Sequence, residues 1–151
     1  PKTYSKQELR DRIQRFCAYR ERSHWEVKRR LSDYHCWGAE ADELIAELIR
    51  EDFLNEERFA KAFVRGKFRQ KGWGRRKIAE ALKRHQIGDY LWQKAFAEID
   101  EAEYLTALEK QLGQLEKKIK ARNDFLRRGK IAQRLIARGF EPELVWDFLK
   151  G

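Results

Sequence analysis

Residues 77–82 read KIAEAL and residues 130–135 read KIAQRL, an internal match that constrains the fold more than any other feature of this 151-residue chain. Nine residues after the Ile of each hexapeptide stands another apolar residue, Ile87 and Phe140. Carried back along the chain, the register aligns Val27, Ile78 and Ile131 at separations of 51 and 53 residues, near the long end of helical-repeat periods. Strand signals are nearly absent, whereas apolar residues recur at spacings of three and four along most of the sequence. The sequence therefore predicts an all-α protein of three tandem trihelical repeats in an elongated arrangement, over 1–53, 54–99 and 100–151.

Local signals divide each repeat into helices. Ser5 with Glu8, and Ser23 with Glu26, are capping boxes that open the first two helices, with Leu9, Ile13, Phe16 and Cys17, then Val27 and Leu31, turned inward. Arg20 to Arg22 close the first helix, and the Cys36-Trp37-Gly38 turn leads to a third carrying Ala41, Leu44, Ile45, Leu48 and Ile49. Asn55 caps the next helix, which carries Phe59, Ala60, Phe63 and Val64 and breaks at Gly72-Trp73-Gly74. Ile78, Leu82 and Ile87 follow, then a turn at Gly88-Asp89 and the stripe Leu91, Ala95, Phe96 and Ile99. The last repeat begins with Leu105, Leu108, Leu112, Leu115 and Ile119, a core face rather than a dimer zipper because it is too short for a sustained heptad pattern, and ends with Leu144, Phe148 and Leu149.

Charge is concentrated in one place. Lys and Arg total 34 against 25 Asp and Glu, a net charge of +9. The first segment is balanced at 11 and 11, the last holds 11 and 9, and the middle holds 12 basic against 5 acidic residues. Between 58 and 84 there are 11 basic residues and one acid, Glu80. Arg58, Lys61, Arg65 and Arg69 share one helix face, opposite much of the apolar stripe, and Lys71, Arg75, Arg76, Lys77, Lys83 and Arg84 follow. Solvated faces usually mix signs, so this surface is read as one for a polyanion or acidic partner rather than a bland face. A second basic cluster, from Lys117 to Arg138, is opposed only by Asp124 and extends the footprint. Trp73, set among these cations, offers either a stacking surface, an aromatic anchor for a partner or a staple at the start of the next helix, and the staple is preferred. Trp25, Trp37, Trp92 and Trp146 adjoin helix core positions and read as packing residues.

Enzyme chemistry finds no motif. GxxxxGK[ST], HExxH and CxxC are absent, and Gly72-x-Gly74 follows no strand. His24, His35 and His85 lack metal-ligand spacing, and Glu56-Glu57 is explained by its place in a helix's first turn. No catalytic residue, cofactor or metal site is expected. Cys17 and Cys36 read as reduced thiols, and with no secretory leader or membrane span in view a cytoplasmic monomer is expected.

FLNEERFAKAFVRGKFRQKGWGRRKIAEAL, residues 53–82, resembles the RecX family of regulators of the RecA recombinase. The shared features are the Phe-Leu start with Asn55 and its acidic neighbours, Arg58-Phe59-Ala60, Phe63-Val64, the basic run, Lys71-Gly72 with an aromatic and Gly74, then Ile78 and Leu82. The Ser23-x-x-Glu26 segment and the repeats extend the resemblance over the chain. Two positions depart from it: the family often has Pro where Arg75 stands, and Lys-Gly where His85-Gln86 precede Ile87. The resemblance implies a non-catalytic protein of DNA repair and the SOS response that binds RecA–DNA filaments and restrains their growth, ATP hydrolysis and strand exchange. It also implies weak to moderate direct contact with single- or double-stranded DNA. The competing reading is a stand-alone helical DNA-binding protein using the basic middle repeat.

Overall fold

The computed structural model describes residues 3–150, which form nine α-helices and no strand. They fall in chain order as α1 (Lys6–Tyr19), α2 (His24–Asp33) and α3 (Gly38–Arg50), then α4 (Glu56–Arg69), α5 (Arg75–Arg84) and α6 (Asp89–Phe96), then α7 (Glu101–Lys118), α8 (Asp124–Ala137) and α9 (Pro142–Lys150). Three helices per repeat, three times over, is the architecture that the 51 and 53 residue spacing predicts.

The helix starts are set by side chains that satisfy otherwise orphaned backbone N–H groups. Ser5 and Ser23 both form complete capping boxes with Glu8 and Glu26. Asn55 accepts from the Arg58 N–H at 2.9 Å, and Asp100 and Asn123 do the same for Glu103 and Leu126 at the starts of α7 and α8.

The second helix of every repeat also ends alike. His35, Gln86 and Gly139 adopt left-handed backbone conformations, with φ of 61°, 59° and 105°. The next N–H, from Cys36, Ile87 or Phe140, returns to the carbonyl of Leu31, Leu82 or Leu135, closing a Schellman-type turn over a buried side chain. Gln86 thus carries a left-handed conformation that glycine adopts most readily.

The chain packs as two compact units, one formed by residues up to Ala62 with Leu82–Ala95, the other by Phe63–Ala81 with the residues from Phe96 onward. Helices α4 and α5 each contribute one part to each unit. In the first unit α2 packs on α1 and α3 around Leu9, Ile13, Val27, Leu31, Leu44 and Leu48. Ser23 Oγ and His85 Nδ1 share a 2.8 Å hydrogen bond, and the imidazole meets the Phe59 and Trp25 rings, which makes His85 a packed residue.

In the second unit α8 packs on α7 and α9 around Leu108, Leu112, Leu115, Ile131, Leu135 and Val145, so the α7 stripe is a core face. Each such aliphatic side chain, fully buried, contributes about 2 kcal/mol of transfer free energy. Tyr104 is the largest fully buried side chain of this unit, lying against Phe68 and Phe140.

Three apolar residues lie outside the core that their spacing predicts. Ile49, in the last turn of α3, is exposed beyond the Leu44, Ile45 and Leu48 face. Trp37 is 61% exposed, its indole N–H donating to Ser32 Oγ at 2.8 Å, because it sits in a surface turn. Trp146 is 42% exposed because Val145 and Leu149 take the inward face of α9. No helix among the described residues is long and apolar enough to cross a membrane.

Candidate functional site

The basic stripe on α4 is paired along its whole length. Arg58 donates to Glu21 at 2.7 Å and to Asp52 at 3.0 Å. Lys61 lies 3.0 Å from Glu57, which also receives Lys94 at 3.3 Å. Arg65 bonds Glu98 at 2.7 Å, and Arg69 holds Glu103 through two bonds of 3.0 and 3.2 Å. These contacts leave a titration signature: the Lys61 and Lys94 bonds hold the Glu57 carboxyl below its ordinary range, and Arg69 does the same to Glu103. Four cations of the single-sign run are therefore matched by carboxylates, the three arginines by acids outside α4 and Lys61 by Glu57 one turn earlier on the same helix.

Arg75 is diverted inward. Its backbone N–H donates to the Tyr104 hydroxyl at 3.0 Å, and its guanidinium lies over the Tyr104 ring and pairs with Glu141 at 2.9 Å and with Glu101. Tyr104 in turn donates to Glu141, and burial, then that bond, raises its phenol well above the ordinary value. Arg75 ties α5, α7 and the start of α9 together rather than presenting charge.

Among the described residues, other cations of the middle repeat and the start of the third hold no carboxylate: Lys67, Lys71, Arg76, Lys77, Lys83, Arg84 and Lys110. In the second unit several of them border an open groove of about 870 Å³. Lys71, Trp73 and Lys77 line one side, Thr106, Lys110, Gln111 and Gln114 on α7 the other, with Arg138 between. Glu103 is the one carboxylate in this lining, and Arg69 already occupies it. Trp73 is half-buried, with the Lys67 and Lys77 ammonium groups 4.9 and 4.5 Å from its ring centroid.

Backbone contacts fix the position of Trp73. Gly72, at φ 71°, ends α4, and the Trp73 N–H returns to the Lys67 carbonyl at 3.0 Å. Gly74 N–H donates to Arg138 O at 2.8 Å and Arg76 N–H to Gly139 O at 2.9 Å, so the turn lies directly on the end of α8. That approach requires two glycines: a Cβ on Gly74 falls within 3.0 Å of the Gly139 and Phe140 backbone, and one on Gly139 within 3.0 Å of Lys77. Gln111 completes the clamp, donating to Gly72 O at 2.9 Å and accepting from Arg138 at 2.8 Å.

Of the residues singled out from sequence, Lys71, Trp73 and Lys77 meet in this groove with Arg69, and Arg76 is exposed on the same helix as Lys77. Arg58 and Lys61, like Lys83 and Arg84, belong to the first unit. Sequence reasoning missed Lys67, whose place two residues before Arg69 was visible but unweighted, and Lys110, Gln111 and Gln114, which carry no local signal. Among the described residues no cluster of three or more His, Cys, Asp or Glu side chains is placed to hold a metal ion.

Residues 55–95 match the profile of RecX, second three-helix domain. Over 147 residues the chain is 28% identical to the regulatory protein RecX of Ralstonia pickettii (strain 12J), covering 95% of this chain and 87% of that one. The crystal structure of RecX from Lactobacillus salivarius superposes with a TM-score of 0.85 at 19% identity, over 95% of this chain and 93% of that one. A crystal structure of regulatory protein RecX gives the same TM-score at 16% identity, over 96% and 72% of the two chains. The two structural likenesses establish the fold.

Proposed function

We propose that this chain is a RecX-family protein, a non-catalytic regulator that binds RecA–DNA filaments and restrains their growth, ATP hydrolysis and strand exchange. The observation that carries this reading is the groove around Trp73, where Lys71, Lys77 and Lys110 stand without carboxylate partners beside a half-buried indole. An arginine already bonded to glutamate must give up that bond to engage a new anion, whereas an unpaired lysine releases only solvent and mobile ions. The groove is therefore the better contact for acidic protomer surfaces or filament DNA, and the paired α4 stripe the poorer one.

The test is a titration of filament ATPase activity against added protein. Regulation by binding several protomers together saturates well below one molecule per recombinase protomer, since multivalent contact acts on the assembly. Inhibition that needs excess protein and vanishes with surplus DNA instead supports the stand-alone DNA-binding reading, which the unpaired Arg76, Lys83 and Arg84 of α5 keep in play.

A further inference from the structure

The third repeat carries an apolar groove that the regulatory reading leaves unused. Among the large apolar side chains exposed on the described residues, Tyr19, Trp37, Ile49 and Tyr90 are scattered over α1, α3, the turn before it and α6. Phe125, Leu126 and Trp146 instead meet in one groove of about 470 Å³ between the start of α8 and α9, with Phe125 78% exposed. Single apolar residues are ordinary on a surface, whereas a gathered patch marks a contact. On α8 the groove follows Phe125, Gly129 and Gln133, each one turn from the last, and on α9 it follows Trp146 and Lys150. Gly129 is the unexpected member. A glycine inside a helix weakens it relative to alanine, and this one answers to no crowding, because a Cβ there meets nothing within 4 Å. Its missing side chain leaves open space in the groove beside the two aromatic residues. The rim is cationic: Lys130 and Lys150 pair with no described carboxylate, Arg128 holds Asp124 at 3.2 Å, and no acid lines the groove.

We propose that this groove docks an amphipathic helical segment of a partner protein, with apolar side chains seated over Gly129 among Phe125, Leu126 and Trp146, and acidic side chains meeting Lys130 and Lys150. A helix laid across two packed helices presents its anchors at spacings of three and four, the pattern that a groove between α8 and α9 receives. Aromatic residues flanking an open position form the kind of pocket in which one anchor carries much of the binding energy. Rim cations without acids then favour carboxylates on either side of that anchor and set its orientation. The same charge argues against a second copy of this chain, since a twofold contact brings Lys130 and Lys150 of both copies together. A nucleic acid strand has no aliphatic side chain for the space over Gly129 and Leu126, and a lipid surface calls for a protruding apolar face rather than a groove. The Trp73 groove shares no lining residue with this one, so the proposal is independent of the regulatory reading.

The experiment is fluorescence anisotropy with the full chain and a labelled synthetic peptide of about 16 residues, long enough to form a helix. Leucines at i, i+3, i+4 and i+7 make one face of the peptide and glutamates the other. Its controls are a scrambled peptide of the same composition and a peptide with lysine in place of glutamate. The glutamate peptide binds about tenfold or more tighter than either. F125A/W146A weakens that binding about tenfold or more, with circular dichroism unchanged. G129A favours the helix while filling the open space, so it melts no lower than the parent yet weakens binding about fivefold or more, a combination that general destabilisation does not produce. K130E/K150E moves the preference to the lysine peptide. Equal affinity for the ordered and scrambled peptides, or full affinity in well-folded F125A/W146A or G129A, overturns the proposal. Displacement of the peptide by oligo-thymidylate or by phosphatidylserine vesicles as effectively as by unlabelled peptide also overturns it. So does a sedimentation coefficient that rises with protein concentration and stops rising in F125A/W146A, which assigns the groove to a second copy. No recombinase is present, so failure here leaves the regulatory reading standing, and failure of filament inhibition leaves this site standing.

Discussion

The α4 stripe and the Trp73 groove are both rich in cations, yet they differ in whether an acid meets that charge. Arg58, Lys61, Arg65 and Arg69 each hold a carboxylate of the same molecule: the three arginines join α4 to other segments, and Lys61 pairs along α4 with Glu57. Lys71, Lys77 and Lys110 hold none, and Lys77 together with Lys67 leans on the Trp73 indole instead. A count of basic residues weights both regions equally. What separates them is whether an acid reaches each cation in three dimensions, because only an unpaired cation carries its full field outward.

The largest expected effect lies in the scaffold beneath the groove. A Cβ on Gly74 has only backbone to displace, so Gly74→Ala costs about 3 kcal/mol by overpacking and deforms the Trp73 turn. A urea melt showing no loss of stability contradicts the close approach on which the groove rests. Arg75→Ala comes next. It strips Glu141 of a half-buried salt-bridge partner and Tyr104 of the guanidinium over its ring, while the backbone N–H bond to the Tyr104 hydroxyl is kept, at a cost of about 2 kcal/mol once solvent screening is allowed for. Lys71→Ala and Lys77→Ala, by contrast, change stability by less than about 0.5 kcal/mol, as ordinary surface substitutions do. The comparison breaks if these lysines prove as costly to remove as Arg75.

The repeat and its punctuation were legible in sequence because they are local. Ser5 with Glu8, Ser23 with Glu26, and Asn55 are signals that span three residues, and each forms the cap its spacing predicts. The Val27, Ile78 and Ile131 register reappears as equivalent helix ends at His35, Gln86 and Gly139. The pairing of the basic stripe was illegible because it is non-local: Glu21, Glu98 and Glu103 lie 37, 33 and 34 residues from the arginines they hold. Tyr104 was overlooked beside Leu105 for a related reason, since a buried phenol is tolerated only because Glu141 and the Arg75 N–H, both distant in sequence, satisfy it. Gln86 hides its left-handed conformation behind a side chain that does not advertise it.

Two smaller effects distinguish the units by pH. Burial pushes the Cys17 thiol up to about 11 in the first unit, and Cys36, also buried and bonded to Glu40, to about 11. Both should resist alkylation at pH 8 in the folded protein and react on unfolding. Since the folded thiols hold their protons more tightly than unfolded ones, that contribution to stability is intact below the unfolded value near 9 and is lost as pH rises toward 11. At the acid end, burial lowers the His85 value in spite of Glu26, so neutral His85 favours the folded state above the ordinary value of 6.5, and this is lost as pH falls below it. His85 belongs to the first unit, so amide protection factors, taken relative to the intrinsic exchange rate, should fall there between pH 7 and pH 5 and hold in the second unit.

The central claim is that unpaired cations, not the most numerous ones, carry partner binding. Filament ATPase inhibition compared between K71E/K77E/K110E and R65Q/R69Q, both checked for native helicity, tests it most directly. The account predicts that the first variant loses inhibition by about tenfold or more, as three charge-assisted contacts of about 0.5 kcal/mol or more each imply, while the second stays within about twofold of the parent and melts at a lower temperature. Strong loss in R65Q/R69Q with full inhibition by K71E/K77E/K110E is the result that contradicts it.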